Sequence, residues 1–271
     1  RGQKVYFNAW GGDTRINDFI GWVGQEVGSR FGIALEHVKL ADTAEAMTRV
    51  LAGKIAGQKD GGGIDLIWIN GENFAAMKQQ DLLFGPILHL LPNMKFVDPV
   101  AKPTILSDFT VPTDGYESPW GMAQFVFFHD TARLSAPPKN PAALLDFARS
   151  HPGRFTYPAP PDFIGSTFLK QLLLWLAKDR APFARLLDPS QFMQATAPLW
   201  DYLAEINPHL WRGGESYPVS STILRQLLND GETDISMAFN PGDASSAIAQ
   251  GLLPDTVRSF VFEGGSIGNT H

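Results

Sequence analysis

Five short stretches of this sequence combine glycine, aromatic rings and polar side chains in a way that could hold a small molecule. They are Trp10-Gly11-Gly12-Asp13, Asn70-Gly71-Glu72-Asn73, Trp120-Gly121, the run from Phe163 to Ser166, and the run from Asn240 to Asp243. Trp10 and Trp120 offer faces for a planar or cationic group. Asp13, Glu72, Asp162 and Asp243 could pair with a ligand cation or donor. Glycine lets backbone N–H groups approach a ligand, and a following helix start adds a partial positive field. A structural reading stands beside this one. Asp13 and Asp243 also suit N-caps, and Gly/Asn turns occur wherever a strand hands over to a helix. The combination of all five points towards a binding cleft.

Catalytic chemistry finds less support. "GGSIG" (264–268) matches a nucleophile elbow centred on Ser266, but an elbow needs a helix after it, then an acid and a histidine. Only three residues follow, ending in His271 with no acid to orient it, so a flexible glycine hinge is the better explanation. A hydrolase or transferase using Ser266, or a carboxylate pair, is kept as the alternative function. There is no P-loop, no dinucleotide fingerprint after a strand and no H-E-x-x-H. The histidines at 37, 89, 129, 151, 209 and 271 lie far apart without ligand spacing, and cysteine is absent. No metal and no cofactor are expected.

The 271 residues, 44% hydrophobic, are enough for one large or two smaller domains. A net charge of -6 argues against nucleic acid as a partner. The longest apolar stretch, "FLKQLLLWLA" (168–177), falls well short of the roughly 20 residues of a membrane span. The chain begins at Arg1 and not at methionine, so a trimmed N-terminus is expected.

The stretches above need elements to position them. Strands are expected at 4–10, 35–40 and 64–70, the last as a buried parallel strand, with helices at 16–31 and 42–56. Asp42 and Glu45 have capping-box spacing. Strand–helix alternation with short connections predicts a parallel sheet under helical cover. Residues 85–119 are rich in proline and poor in period, the mark of a functional loop or a crossing between domains. A long strand is expected at 121–130. A second alternating set follows, with helices at 141–150, 163–179, 189–206, 219–231 and 243–250 and strands at 154–159, 234–240 and 257–264. In open parallel α/β sheets, ligands bind beyond the carboxyl ends of the strands, and the five stretches fall at such ends.

Three longer segments resemble bacterial ABC-transporter extracellular solute-binding proteins, the type II periplasmic binding proteins. "DLIWINGENFAAMKQQDLLFGPI" (65–87) looks like the family's lobe-one strand, ligand loop and helix end. "SPWGMAQFVFFHDTARLSAPPKNPAALLDFA" (118–148) is similar to its hinge strand and exit. The stretch 212–271 looks closest to a YnjB-like subgroup that also resembles thiamine-binding receptors. The resemblance implies an α/β, two-lobed fold, each lobe a mixed or parallel sheet with helices on both faces. It places lobe one at 1–120, a hinge strand at 121–128, lobe two at 125–262 and a second hinge or return strand at 263–271. Family members continue past that point to finish lobe one, so lobe one is expected to be incomplete in this chain.

The function implied is a non-catalytic receptor that captures a small ligand in the inter-lobe cleft and delivers it to an inner-membrane ABC permease. It would act as a periplasmic monomer, its signal peptide removed. Carried over by position, the family's ligand loops fall on the five stretches already singled out. Trp211 and Tyr217 join them by analogy with aromatic walls. Ferric receptors of the family use adjacent tyrosines, and the five tyrosines here are scattered, so iron is disfavoured. An organic cation such as a thiamine-like compound or polyamine is favoured, while glycine-rich helix starts equally suit an anion.

Overall fold

A computed structural model describes residues 2–58, 60–185 and 187–269; His271 lies outside them. The chain divides into two compact units. The first runs to Met122 and takes back Asn269; the second is Ala123–Gly268.

In the first unit, β1 (Lys4–Trp10), α1 (Thr14–Phe31), β2 (Ala34–Leu40), α2 (Ala44–Ile55), β3 (Leu66–Ile67) and α3 (Gly71–Gln79) follow one another. The sheet order is β2-β1-β3, and both ladders are parallel. β1 pairs with β2 from Lys4↔Ala34 to Trp10↔Leu40. The long apolar run 64–70 yields a ladder of only two residues, with Leu66 half exposed, so this strand is shorter and less buried than its composition suggests. Asp65 N–H to the Tyr6 carbonyl and Trp68 N–H to the Asn8 carbonyl continue its hydrogen bonding on either side. α3 packs its Phe74 and Met77 with Ile69 into the unit's buried cluster, against Met47, Val50, Leu83, Val111 and Tyr116.

The proline-rich stretch does not cross between units. It forms short 3-10 turns and a small antiparallel ladder of β4 (Ser107–Asp108) with β5 (Val111–Pro112), all inside the first unit. Its prolines lack the N–H that a longer ladder requires.

The second unit begins with the short β6 (Ala123–Gln124), then β7 (Val126–Asp130). The single strand expected at 121–130 is interrupted at Phe125, whose N–H goes to the Ile267 carbonyl. α4 (Pro141–Ser150), α5 (Phe163–Leu176), α6 (Pro189–Ile206), α7 (Ser221–Asn229), β8 (Ile235–Ala238), α8 (Asp243–Ala249) and β9 (Val257–Phe260) complete it. Its sheet order is β8-β7-β9, with antiparallel ladders. Residues 154–159, expected as a strand, form no ladder. Their carbonyls and N–H groups bond singly to Trp211, Pro218 and Asp234, and Pro158 has no N–H to donate.

α5 is the pillar of this unit's core. Phe168 and Leu172 are fully buried among Phe125, Phe127, Phe155, Leu144 and Leu203. Its start is set by Asp162, whose Oδ1 accepts N–H bonds from Ile164 and Gly165, both at 2.9 Å. A side chain at Gly165 would collide with the Pro158 carbonyl. Gly165→Ala is therefore expected to cost at least about 2 kcal/mol by forcing backbone apart in a packed region. Urea unfolding of the variant checks this, and an unchanged midpoint would contradict it.

Candidate functional site

Parallel pairing with β1 in the centre brings the carboxyl ends of β1, β2 and β3 to one edge. Trp10 ends β1, and the turn after it is explained by fit. Gly11 donates its N–H to the Leu40 carbonyl at 2.9 Å, and a Cβ there would lie 2.7 Å from Cβ of Lys39. A Cβ on Gly12 would run into the Trp10 indole. Asn17 Nδ2 donates to the Gly11 carbonyl at 2.9 Å. Asp13, buried, accepts the Ile16 N–H at 3.0 Å and so caps α1. Both glycines and the acid thus have local structural reasons to be there.

At the neighbouring tips, Asp42 Oδ1 accepts from Ala44 N–H at 2.7 Å, and Glu45 Oε1 accepts from Asp42 N–H at 3.2 Å. Thr43 Oγ1 donates to the Trp68 carbonyl at 3.1 Å, tying the β2 and β3 tips together. The third tip is Asn70–Asn73. Asn70 is extended and makes no side-chain cap bond; Gly71 has φ +60, a region that favours glycine. Glu72 is exposed and Asn73 partly buried.

Sequence reasoning missed what holds this third tip. Asp108, fully buried, accepts the Gly71 N–H on Oδ2 and the Asn269 Nδ2–H on Oδ1, the latter at 2.7 Å. Beside it lies Glu117, 5% exposed, with neither carboxyl oxygen hydrogen-bonded. Burial, then the Asp108 charge, push its carboxyl up to about 9, against a smaller opposing pull from Lys78. No spacing rule connects positions 108, 117 and 269. The one available signal was a Glu set beside aromatic residues, between Tyr116 and Trp120.

Three residues after Glu117, Trp120 is 43% exposed, yet its ring centroid lies 5.1 Å from Trp68, 6.0 Å from Phe19 and 6.1 Å from Phe7. Trp120 is thus anchored by other aromatics and keeps part of its surface open. Gly121 is exposed.

In the second unit, Phe163 opens α5 and meets Phe239 edge-on at 5.1 Å, one residue before the exposed Asn240. Ser166 follows within the first turn of α5, partly buried. Tyr217 lies 5.1 Å from Tyr157, and Pro218 accepts the Ala159 N–H. Phe163, Ser166, Asn240 and Tyr217 therefore gather around the start of α5 and the exit of β8. Asp243 is also there, but its carboxylate is engaged by Arg225 at 3.3 Å. Trp211 is elsewhere. Its Nε1 donates to Glu232 at 2.7 Å, before β8 begins, and Arg212 covers its ring at 4.1 Å. A strand of four residues separates it from Asn240, roughly 13 Å.

The nucleophile reading fails on Ser266. Its Oγ donates to the Phe125 carbonyl, and no helix follows it among the described residues. Ile267 N–H binds Gln171 Oε1 at 2.8 Å, which makes this glycine-rich turn a tether to α5.

Comparison with known proteins is consistent across methods. Residues 23–261 match the family model for bacterial extracellular solute-binding proteins. The chain is 45% identical to protein YnjB of Escherichia coli (strain K12) over all 271 residues, covering 69% of that protein. Among solved structures, it is similar to the spermidine/putrescine ABC transporter substrate-binding protein PotD of Streptococcus pneumoniae, with 15% identity and a TM-score of 0.65, covering 98% of this chain and 70% of that one. Iron-bound HitA of Pseudomonas aeruginosa gives 13% identity and a TM-score of 0.64, covering 98% and 73%.

Two outcomes follow from the geometry. Asp13→Ala should lower stability by about 1 kcal/mol, with Asp13→Asn close to wild type, because asparagine caps as well as aspartate; chemical denaturation measures both. Glu117 has a folded pKa of about 9 against 4.5 ordinarily. The folded state therefore holds a proton that the unfolded state gives up, and stability falls as pH rises from about 4.5 to about 9. Glu117→Gln should remove that slope and stabilise the protein at pH 7 by on the order of 2 to 3 kcal/mol. Melting temperature against pH for both proteins checks the sign.

Proposed function

We propose a ligand class for this chain from the premise that it belongs to the bacterial extracellular solute-binding protein family. It is a receptor and not an enzyme: it binds a solute and works with the permease of an ABC transporter. No helix among the described residues is long and apolar enough to cross a membrane. We place the protein in the periplasm and take its solute to be a small organic cation.

One observation supports the cation above all. Four helix starts, three of them at candidate loops, already hold carboxylates of the chain itself, whereas α8, which opens at Asn240–Asp243, has no side-chain cap bond. Asp13 occupies the start of α1, Asp42 that of α2, Asp108 that of α3 and Asp162 that of α5. The N–H groups and partial positive charge that would attract an anionic ligand are answered internally. The exposed side chains at these loops include the acid Glu72 and the open part of Trp120. A cation with apolar or planar bulk suits that combination.

The solved relatives do not choose between ligands, since one is named for polyamines and another is iron-bound. Against iron, burial pushes the Tyr157 phenol of the Tyr157–Tyr217 pair upward, and Tyr157 Oη already donates to Asn207 Oδ1 at 3.4 Å. That environment opposes the phenolate a ferric ion requires.

A thermal-shift panel of thiamine, spermidine, putrescine, ferric citrate, phosphate and a neutral sugar tests the reading. A cationic member should raise the melting temperature, with roughly 2.7 kcal/mol of stabilisation at 100-fold its dissociation constant. Stabilisation by phosphate or the sugar alone would overturn the cation assignment, and turnover of any binder would overturn the receptor reading. Glu72→Gln should weaken the cation by about tenfold, equivalent to roughly 1.4 kcal/mol. Calorimetry with the best binder measures the loss.

A further inference from the structure

The chain enters the second unit after Met122 and leaves it after Gly268. The leaving segment, Glu263 to Gly268, has the composition of a hinge. Gly264 and Gly265 have φ of +95 and +104, a region where glycine meets no steric penalty. Small residues are common where a hinge absorbs a change of backbone angle. The hydrogen bonds of the segment describe something else.

Gln171 is buried in α5, one turn beyond Phe168, and its side-chain amide presents a donor and an acceptor side by side. Nε2 donates to the Gly265 carbonyl at 3.4 Å, and Oε1 accepts the Ile267 N–H at 2.8 Å. These are two peptide groups that would otherwise need a partner from elsewhere in the backbone. Trp175, one turn further along the same helix face, donates Nε1 to the Glu263 carbonyl at 3.1 Å. The Glu263 N–H goes in turn to the Lys139 carbonyl at 2.8 Å. α5 therefore holds the leaving segment at residues 263, 265 and 267.

The entering segment joins at the same place. Phe125 donates its N–H to the Ile267 carbonyl at 2.8 Å, and its own carbonyl accepts from Ser266 Oγ. Its ring is buried, edge-on to Phe127 at 5.0 Å and 6.5 Å from Phe168 of α5. Entering and leaving chain are thus bonded to each other and anchored on one helix, all inside the second unit. Of the side chains named, Trp175 and Ser266 each satisfy one peptide group, and Gln171 satisfies two.

We propose that Gln171 is a positioning residue that makes the glycine-rich segment a rigid mount instead of a hinge. Its role needs no contact with solute. Gly265 and Ile267 are held to α5 directly, and Phe125 is held through Ile267. Receptors that close around a solute do so by bending at a few residues. On this assignment residues 263–267 and Phe125 are not among them, and bending falls on chain outside the mount. The role of Gln171 stands independently of the cation reading.

The test therefore uses no solute. Amide hydrogen exchange is measured on the 271-residue chain, each rate corrected for its intrinsic value. In the wild type, the Ile267 amide should exchange within about a hundredfold of the Leu172 amide inside α5, as a residue built into the packed region does. Gln171→Leu keeps the volume and removes both bonds. It should speed Ile267 exchange at least about tenfold relative to Leu172 in the same protein, a ratio that a general loss of stability leaves alone. Gln171→Glu, measured at pH 5 where a buried carboxyl stays protonated, keeps an oxygen for the Ile267 N–H and should return the ratio to within about threefold of wild type. An Ile267 amide exchanging at its intrinsic rate in the wild type would overturn the proposal. So would an unchanged ratio in Gln171→Leu. Failure of Gln171→Glu to restore protection would assign the effect to packing and count equally against it. If Gln171→Leu does not fold, the wild-type Ile267 rate and Gln171→Glu carry the test. Failure of the solute panel with success here would remove the cation reading and leave the mount in place.

Discussion

Backbone N–H groups at the start of a helix attract negative charge, and the first turn cannot satisfy them from within. In this protein the nearest negative charge is supplied by the chain. Asp13, Asp42, Asp108 and Asp162 each accept an N–H bond from a helix start. These contacts fix where the helices begin, hold the turns between strand and helix, and leave little positive field for an outside anion. Two of the four carboxylates, Asp13 and Asp108, are themselves buried, so their N–H partners serve them as much as they serve the helices.

Burying acids has limits, and Glu117 marks one. It is buried without a donor on either oxygen, where a glutamine of the same shape would avoid the desolvation and the repulsion from Asp108. Residues held at such a cost concentrate where a site needs them. Here the cost falls between a turn held by a single buried carboxylate and a tryptophan with part of its surface open.

Local pattern made much of the first unit legible. The period of 3.6 over 16–31 and the alternation at 35–40 become α1 and β2, and Asp13 has the position and type of an N-cap. Direction of pairing was not legible in the second unit. Apolar runs at 121–130, 234–240 and 257–264 reveal burial, but a buried strand has the same composition in a parallel or an antiparallel ladder. Residues 154–159 read as a strand because Phe155 and Tyr157 face the core, yet no neighbour lies in register to pair with them. The candidate loops stand out in the sequence because glycine and caps at strand ends follow local rules. Asp108, Glu117 and Asn269 were not, since only tertiary folding brings them together. Trp211 illustrates the opposite error: an aromatic beside glycines looks available, but Glu232 and Arg212 engage both its edge and its face.

The two units differ in what their loops still offer once internal contacts are satisfied. Around the start of α5, the acids are spent: Asp162 caps the helix and Asp243 is paired with Arg225. Around them lie the neutral side chains of Ser166, Asn240, Tyr217 and Phe163. At the tips of β1, β2 and β3 lie the exposed Glu72 and the partly exposed ring of Trp120. Neutral hydrogen-bonding groups and rings accommodate many small molecules of either charge, whereas a carboxylate discriminates by sign. The turn that carries Glu72 is also the one Asp108 holds in place, through the Gly71 N–H.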